Sequence, residues 1–210
     1  MAPKFYNPWS EIAITQNRLP HWQQIGATCF VTWRLADSLP KDVLDSHFED
    51  RKAWLACHPE PWDEATESDY HRRFTARIDE WLDQGEGSCL IRQPQLADLA
   101  RQTLLHFDGE RFMMVSFVIM PNHIHVLFTL NAAWTLEQVV HSWKRHSSRE
   151  INRAIGESGP LWQKDYFDRL VRDSSHFSNC VRYIRRNPTK ARLSTGDYVL
   201  YESELAQSIE

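Results

Sequence analysis

Two apolar runs, Arg111 to Met120 and His123 to Leu130, are separated only by Pro121 and Asn122. The first run is apolar at both alternating sets of positions. A strand of that kind belongs in the middle of a sheet, with cover on both faces. Pro121-Asn122 makes the turn into the second strand, and the rest of the chain must supply neighbours and covering helices.

Ala27 to Leu35 (ATCFVTWRL) is rich in β-branched and aromatic residues and reads as a strand. Pro94 to Phe107 carries Leu96, Leu99, Ala100, Thr103, Leu104 and Phe107 at helical spacing, and Asp108-Gly109 ends it. Thr135 opens a second helix, with Gln138 completing a capping-box pattern and Gly156 closing it. Leu161 to Val171 reads as a strand. Ser174 or Ser175 caps a last helix that runs to about Asn187, where Pro188 limits continuation. Residues 1–24, with Pro3, Pro8 and Pro20, show no sustained period and are expected to form an irregular arm. The order begins as βαββαβ. The expected fold is therefore α+β: a ferredoxin-like antiparallel sheet with an extra C-terminal helix and a helical insertion after the first strand. The 210 residues suit a single domain containing an insertion at 37–90 and a tail at 194–210.

Charge is divided along the chain. Between Asp37 and Glu86 there are 14 acidic and 6 basic side chains, in helical stretches split at Pro59-Glu60-Pro61. Between His141 and Arg192 the balance reverses, to 12 basic and 5 acidic. A basic C-terminal part in a chain of net charge −4 fits a phosphate-backbone partner, or else ordinary solvated helix faces. Cys29, Cys57, Cys89 and Cys180 are far apart and form no C-x-x-C pair, so neither a zinc cage nor a redox pair is indicated. With no signal-like N-terminus and no apolar run long enough for a membrane, a soluble cytoplasmic protein is expected.

Two constellations could carry chemistry. In the strand from His123, the side chains of His123 and His125 share one face, while Ile124, Val126, Phe128 and Leu130 share the core face. Two imidazoles on the less buried face could hold one divalent metal, or be two idle half-exposed strand histidines. On the last helix Tyr183 and Asn187, at i and i+4, lie on one ridge beside a stripe of Phe177, Cys180, Val181 and Ile184. If that helix lies near the histidine face, a phenol meets a metal that polarises a phosphate, and attack on a phosphodiester would leave a phosphotyrosine. Tyr166, in a strand pattern without an amide four residues on, is the rival nucleophile.

The segment MPNHIHVLF (residues 120–128) resembles the HUH signature of single-tyrosine HUH transposases, and YIRRNPTKARL (183–193) resembles the YxxxN-type helix of their REP-associated branch. RLPHW (18–22), FVTWRL (30–35) and LWQKDYFDRLVRD (161–173) are similar to that branch too. The resemblance implies a ferredoxin-like enzyme that cleaves and rejoins single-stranded DNA near hairpins of repetitive extragenic palindromes. It implies Mg²⁺ or Mn²⁺ held by His123, His125 and Asn187, with Asn187 where relatives have a Gln. It further implies Tyr183 as nucleophile, a 5′-phosphotyrosine and a free 3′-OH. Lys144, Arg145 and Arg149 on the middle helix, and Arg182 and Arg186 on the last, are expected phosphate contacts. Trp162 and Gln163 either contact bases or pack. A monomer, or a homodimer in which the tyrosine helix serves the partner, fits equally. Two other readings stand beside this one: a ferredoxin-like module that binds single-stranded nucleic acid without cutting, and a hydrolase that uses metal-bound water.

Overall fold

The computed structural model describes residues 3–16, 20–59 and 62–210. The central pair is as the sequence predicts. Strand β4 (Phe112–Ile119) runs antiparallel to β5 (His123–Leu130), with Val118 opposite His125 and a bulge between Met114 and Ser116. Strand β3 (Thr28–Arg34) pairs antiparallel with β5, and β6 (Phe167–Leu170) pairs antiparallel with β3. Strand β7 (Val199–Glu202) is added outside β4, giving the order β6-β3-β5-β4-β7. Without β7, the four strands and their connecting helices α4 (Pro94–Leu105) and α5 (Leu136–Ile155) form the expected βαββαβ unit.

Both faces of the sheet are covered, which is why β4 and β5 are buried along almost their whole length. Ile124, Val126, Phe128 and Leu130 pack with Leu96, Ala100 and Leu104 of α4 and with Val140, Trp143 and Ile151 of α5. On the other face Phe30, Val118 and Leu127 pack against Phe177, Val181 and Ile184 of α6 (Ser174–Lys190). Helix α5 has the predicted capping box at Thr135 and Gln138, and Gly156 closes it at φ 72°. Helix α6 departs from expectation at both ends. Asp173, not a serine, caps it, accepting from the His176 amide at 2.7 Å. It also continues through Pro188 to Lys190. A proline in the last turn forfeits a single backbone bond, and the Ala191 and Leu193 amides close the end on Asn187 and Pro188 carbonyls.

The insertion is helical, as expected: α1 (Lys41–Cys57), α2 (Glu64–Tyr70), a π-helical turn (His71–Thr75) and α3 (Ala76–Asp83). Glu60 and Pro61 of the predicted breaker lie outside the described residues. Trp54, Tyr70 and Phe74 form a buried cluster within the insertion, while Leu82 of α3 packs with Leu39 and Leu44.

Three expectations are corrected. The N-terminal arm contains a hairpin, β1 (Ala13–Gln16) paired with β2 (Pro20–Gln23). Strands of four residues are too short to reveal a period. Asn17–Leu19, and with them Arg18 and Leu19 of the RLPHW motif, lie outside the described residues. The stretch Leu161–Val171 is not one strand. Only Phe167–Leu170 joins the sheet, with an isolated bridge between Leu35 and Trp162, because Lys144 Nζ draws the carbonyls of Gln163, Lys164 and Asp165 onto itself. The tail is part of the fold: Arg185 of α6 binds Glu202 of β7 and the carbonyls of Ala206 and Ile209, seating β7 and α7 (Glu204–Gln207).

His21 of β2 is buried between Asp165 and Asp168, hydrogen-bonded through both ring nitrogens, and it stacks on Tyr166 at 4.0 Å between ring centroids. Burial alone would lower its pKa, but the two carboxylates outweigh that and raise it to about 9. A base raised on folding stabilises fully below its unfolded pKa of about 6.5, and that stability disappears as pH climbs through about 9. The linkage amounts to roughly 3 kcal/mol. Denaturant midpoints of the natural chain and His21→Gln, measured from pH 6 to 10, should converge at the alkaline end. Their difference cancels other titrating groups, Lys144 among them, and parallel curves would refute the assignment.

Candidate active site

Strand β5 sets the two histidines on one side, as alternation requires, but that side is not open. His123 and His125 are 1% and 0% exposed. The expectation of a less buried face is therefore corrected: α6 and the insertion helix α3 cover it. The ring centroids are 4.8 Å apart. Each imidazole is fixed through Nδ1, His123 to Asn122 Oδ1 and His125 to Thr32 Oγ1, both at 2.7 Å. The Asn122 amide group donates to the carbonyls of Leu82 and Glu86, so its oxygen faces His123 as acceptor. His123 Nδ1 then carries the proton and Nε2 presents a lone pair. That Nε2 is buried and meets no partner among the described residues. Burial, with the Lys190 charge second, lowers the His123 pKa to about 3. Burial, the neighbouring His123 and Lys190 lower His125 as well. Both rings are neutral at physiological pH, the form that ligates metals.

Helix α6 brings its predicted ridge to this pair. Asn187 Nδ2 lies 3.2 Å from His125 Nε2, while its buried Oδ1 has no partner among the described residues. The Tyr183 ring meets His125 edge-on at 5.2 Å and Phe30 at 5.7 Å. The phenol and the two imidazoles thus lie together within one chain. The Tyr183 hydroxyl donates to Asp79 Oδ2 of α3 at 2.7 Å. Burial and the Asp79 charge push the phenol far above its ordinary pKa. Burial likewise raises the Asp79 carboxyl to about 6, against the opposing effect of the Tyr183 hydrogen bond. One turn beyond Asn187, Lys190 pairs with Asp83 at 3.0 Å.

Asp79, Asn122, Thr32 and Lys190 were not singled out from the sequence. Lys190 had a signal, being seven residues after Tyr183 on the same ridge. Asp79 had none, since nothing local ties an acid in the insertion to a tyrosine 104 positions later.

The expected DNA contacts fall into different settings. Lys144, Arg145, Trp162 and Gln163 line one cleft of about 740 Å³ between α5 and residues 160–166, with Lys164 and Tyr166. Within it Lys144 is committed to three backbone carbonyls, and burial lowers its pKa to about 8. Trp162 is buried, donates to Ser147 Oγ and packs on Trp33, so of the two readings it takes the packing one. Gln163 is half-buried, and Arg145 is exposed. Arg149 is exposed beside Glu150, and Arg186 is exposed on α6. Arg182 is tied to the Glu210 carbonyl. Tyr166, the rival nucleophile, is buried against His21, and burial raises its pKa.

Among the described residues no three His, Cys, Asp or Glu side chains are grouped to hold a metal. The residues present nonetheless suit one. His123 Nε2 and Asn187 Oδ1 are buried acceptors left unsatisfied beside His125 Nε2. Two neutral imidazoles anchored through their other nitrogens, with an amide oxygen, are a donor set for a divalent cation. No helix among the described residues is long and apolar enough to cross a membrane.

Residues 94–187, under half of the chain, match the model of the family described as Transposase IS200 like. The match takes in both histidines, Tyr183 and Asn187, and leaves Asp79 and Lys190 outside. A Haemophilus influenzae protein named as a REP-associated tyrosine transposase is 29% identical over 100 residues, which cover 43% of this chain and 55% of the relative. The chain thus matches only about half the length of that relative. A solved structure of a REP-associated tyrosine transposase bound to a REP hairpin aligns with a TM-score of 0.48 and 16% identity, covering 80% of this chain and 69% of the other.

Proposed function

We propose that this chain, similar over residues 94–187 to Transposase IS200-like proteins, is a metal-dependent single-stranded DNA endonuclease and strand transferase that works at REP-type hairpins through a 5′-phosphotyrosine. The observation that carries the reading is the convergence on His125: the Tyr183 ring edge-on at 5.2 Å, and the Asn187 amide at 3.2 Å from Nε2.

His123, His125 and Asn187 would hold Mg²⁺ or Mn²⁺, which when bound draws charge from the scissile phosphate and eases attack. Tyr183 is the nucleophile: its oxygen bonds to phosphorus, the bond to the 3′ oxygen breaks, and a 3′-OH is released. The energy of the broken phosphodiester is kept in the tyrosyl ester, so a later 3′-OH can attack it and rejoin strands without external energy. Thr32 and Asn122 orient the two imidazoles, and burial keeps them in the neutral, ligating form. Arg145, Arg149 and Arg186, exposed, and the cleft beside α5 and Gln163, are suited to the DNA backbone and a flanking base. Since Tyr183 reaches the histidines of its own chain, the site is complete in a monomer. A place in the cytoplasm, on the nucleoid, follows from such a substrate.

The binding-module reading requires an open sheet face on which bases stack. Here α6 and α3 occupy the face that carries the histidines, which argues against it.

The test is to incubate the protein with end-labelled hairpin DNA carrying single-stranded flanks and Mn²⁺, and to look for a complex that survives denaturation. Peptide mapping should find the nucleotide on Tyr183. Cleavage without any covalent complex would favour the water-using hydrolase instead.

A further inference from the structure

Asp79 belongs to the acidic insertion, outside the stretch matching the transposase family, yet its carboxylate receives the hydrogen bond of the proposed nucleophile. The contact is 2.7 Å, and Asp79 is 9% exposed. Helix α3 is fastened to the elements that carry the site. Leu82 is 1% exposed, the Asn122 amide holds the carbonyls of Leu82 and Glu86, and Asp83 pairs with Lys190 of α6. The carboxylate is thereby fixed from two sides: through Asn122, which also anchors His123, and through α6, which bears Tyr183.

The Tyr183 hydroxyl is held against the Asp79 carboxylate. Its proton must leave as its oxygen bonds to phosphorus, and general-base help requires an acceptor within hydrogen-bond reach. Among the described residues, Asp79 is the group to which the Tyr183 hydroxyl donates.

We propose that Asp79 is a catalytic residue of this site, the proton acceptor for Tyr183 in cleavage and the donor that returns the proton in rejoining. The proposal rests on the transposase reading above. In cleavage the Tyr183 O–P bond forms, the P–O3′ bond breaks, the phenolic proton passes to Asp79 Oδ2, and the departing 3′ oxygen takes a proton from water. In rejoining a 3′-OH loses its proton to water and attacks phosphorus, the O–P bond to Tyr183 breaks, and Asp79 gives its proton back to the phenolic oxygen. The insertion would then be part of the catalytic apparatus, supplying it from outside the ferredoxin-like unit.

A mask is the physical rival. A carboxylate beside the nucleophile could stand where the scissile phosphate must come, and its removal would then speed the reaction. The two ideas predict opposite signs for the same variant. In single-turnover assays with labelled hairpin DNA and Mn²⁺, full-length Asp79→Asn should form the Tyr183 adduct about 10²–10⁴ times more slowly. Its DNA affinity and melting temperature should stay close to those of the natural chain, since asparagine keeps the shape and can accept the same hydrogen bond. Incorporating fluorotyrosine at position 183, a more acidic phenol that depends less on a base, should restore at least about tenfold of the rate in Asp79→Asn and change the natural chain much less. A structural defect would not respond to fluorination. An unchanged or faster adduct rate in Asp79→Asn, or a slow rate that fluorination leaves alone, overturns the proposal while the transposase reading stands. If the natural chain forms no adduct at Tyr183, both fall together.

Discussion

The Tyr183→Phe protein is expected to bind hairpin DNA as the natural chain does and to form no covalent complex with it. Phenylalanine keeps the edge-on contacts with His125 and Phe30, so the packing of α6 on β3 and β5 survives. What disappears is the attacking oxygen, and losing a nucleophile typically lowers the rate by on the order of 10⁴-fold or more. The substitution has a second consequence. Asp79 loses the donor to its buried carboxylate, which costs about 1–3 kcal/mol. A domain of ordinary stability, roughly 5–15 kcal/mol, remains folded after that loss. Adduct yield, DNA affinity and melting temperature should therefore separate: the first vanishes, the second holds, the third falls modestly. A denaturation-resistant complex that persists in Tyr183→Phe would move the chemistry elsewhere, and mapping it to Tyr166 would point to the residue stacked on His21.

Replacing His123 and His125 together by alanine is expected to lower adduct formation about 10³-fold, the scale of several kcal/mol of charge stabilisation at a phosphoryl group. The sharper readout needs no DNA. A cation that binds only the folded protein raises its stability by about 2.7 kcal/mol when present at a hundred times its dissociation constant. Mn²⁺ should thus raise the melting temperature of the natural chain and leave that of the double variant unmoved. Asn187→Ala should fall between them, because it removes one donor and leaves both imidazoles. Equal stabilisation of the natural chain and the double variant by Mn²⁺ would place the ion away from β5 and sink the ligand assignment.

Much of this site is legible before folding, because it depends on the geometry of single elements. Alternation along a strand puts His123 and His125 on the same side whatever covers them. The 3.6-residue turn puts Tyr183 and Asn187 on one ridge, which runs on past Pro188 to Lys190. The expected halt at Pro188 is what hid it, since the cost of a proline depends on its place in the helix, and in the last turn the cost is small. The order of the four strands of the βαββαβ unit could likewise be anticipated, because that arrangement fixes which strands are neighbours.

What only the tertiary structure decided lies between elements far apart in the chain. The burial of the histidine pair, the orientation of Asn122 set by carbonyls of Leu82 and Glu86, the diversion of Lys144 from phosphate to backbone, and the edge strand β7 are all of this kind. So is the contact of Asp79 with Tyr183. Local periodicity specifies which side chains share a face, and it does so with a few residues. Which faces meet is settled by burial summed over the whole chain, and no short window of sequence contains that sum. An acidic helix in an insertion reads as a solvated surface until folding lays one of its carboxylates against a phenol.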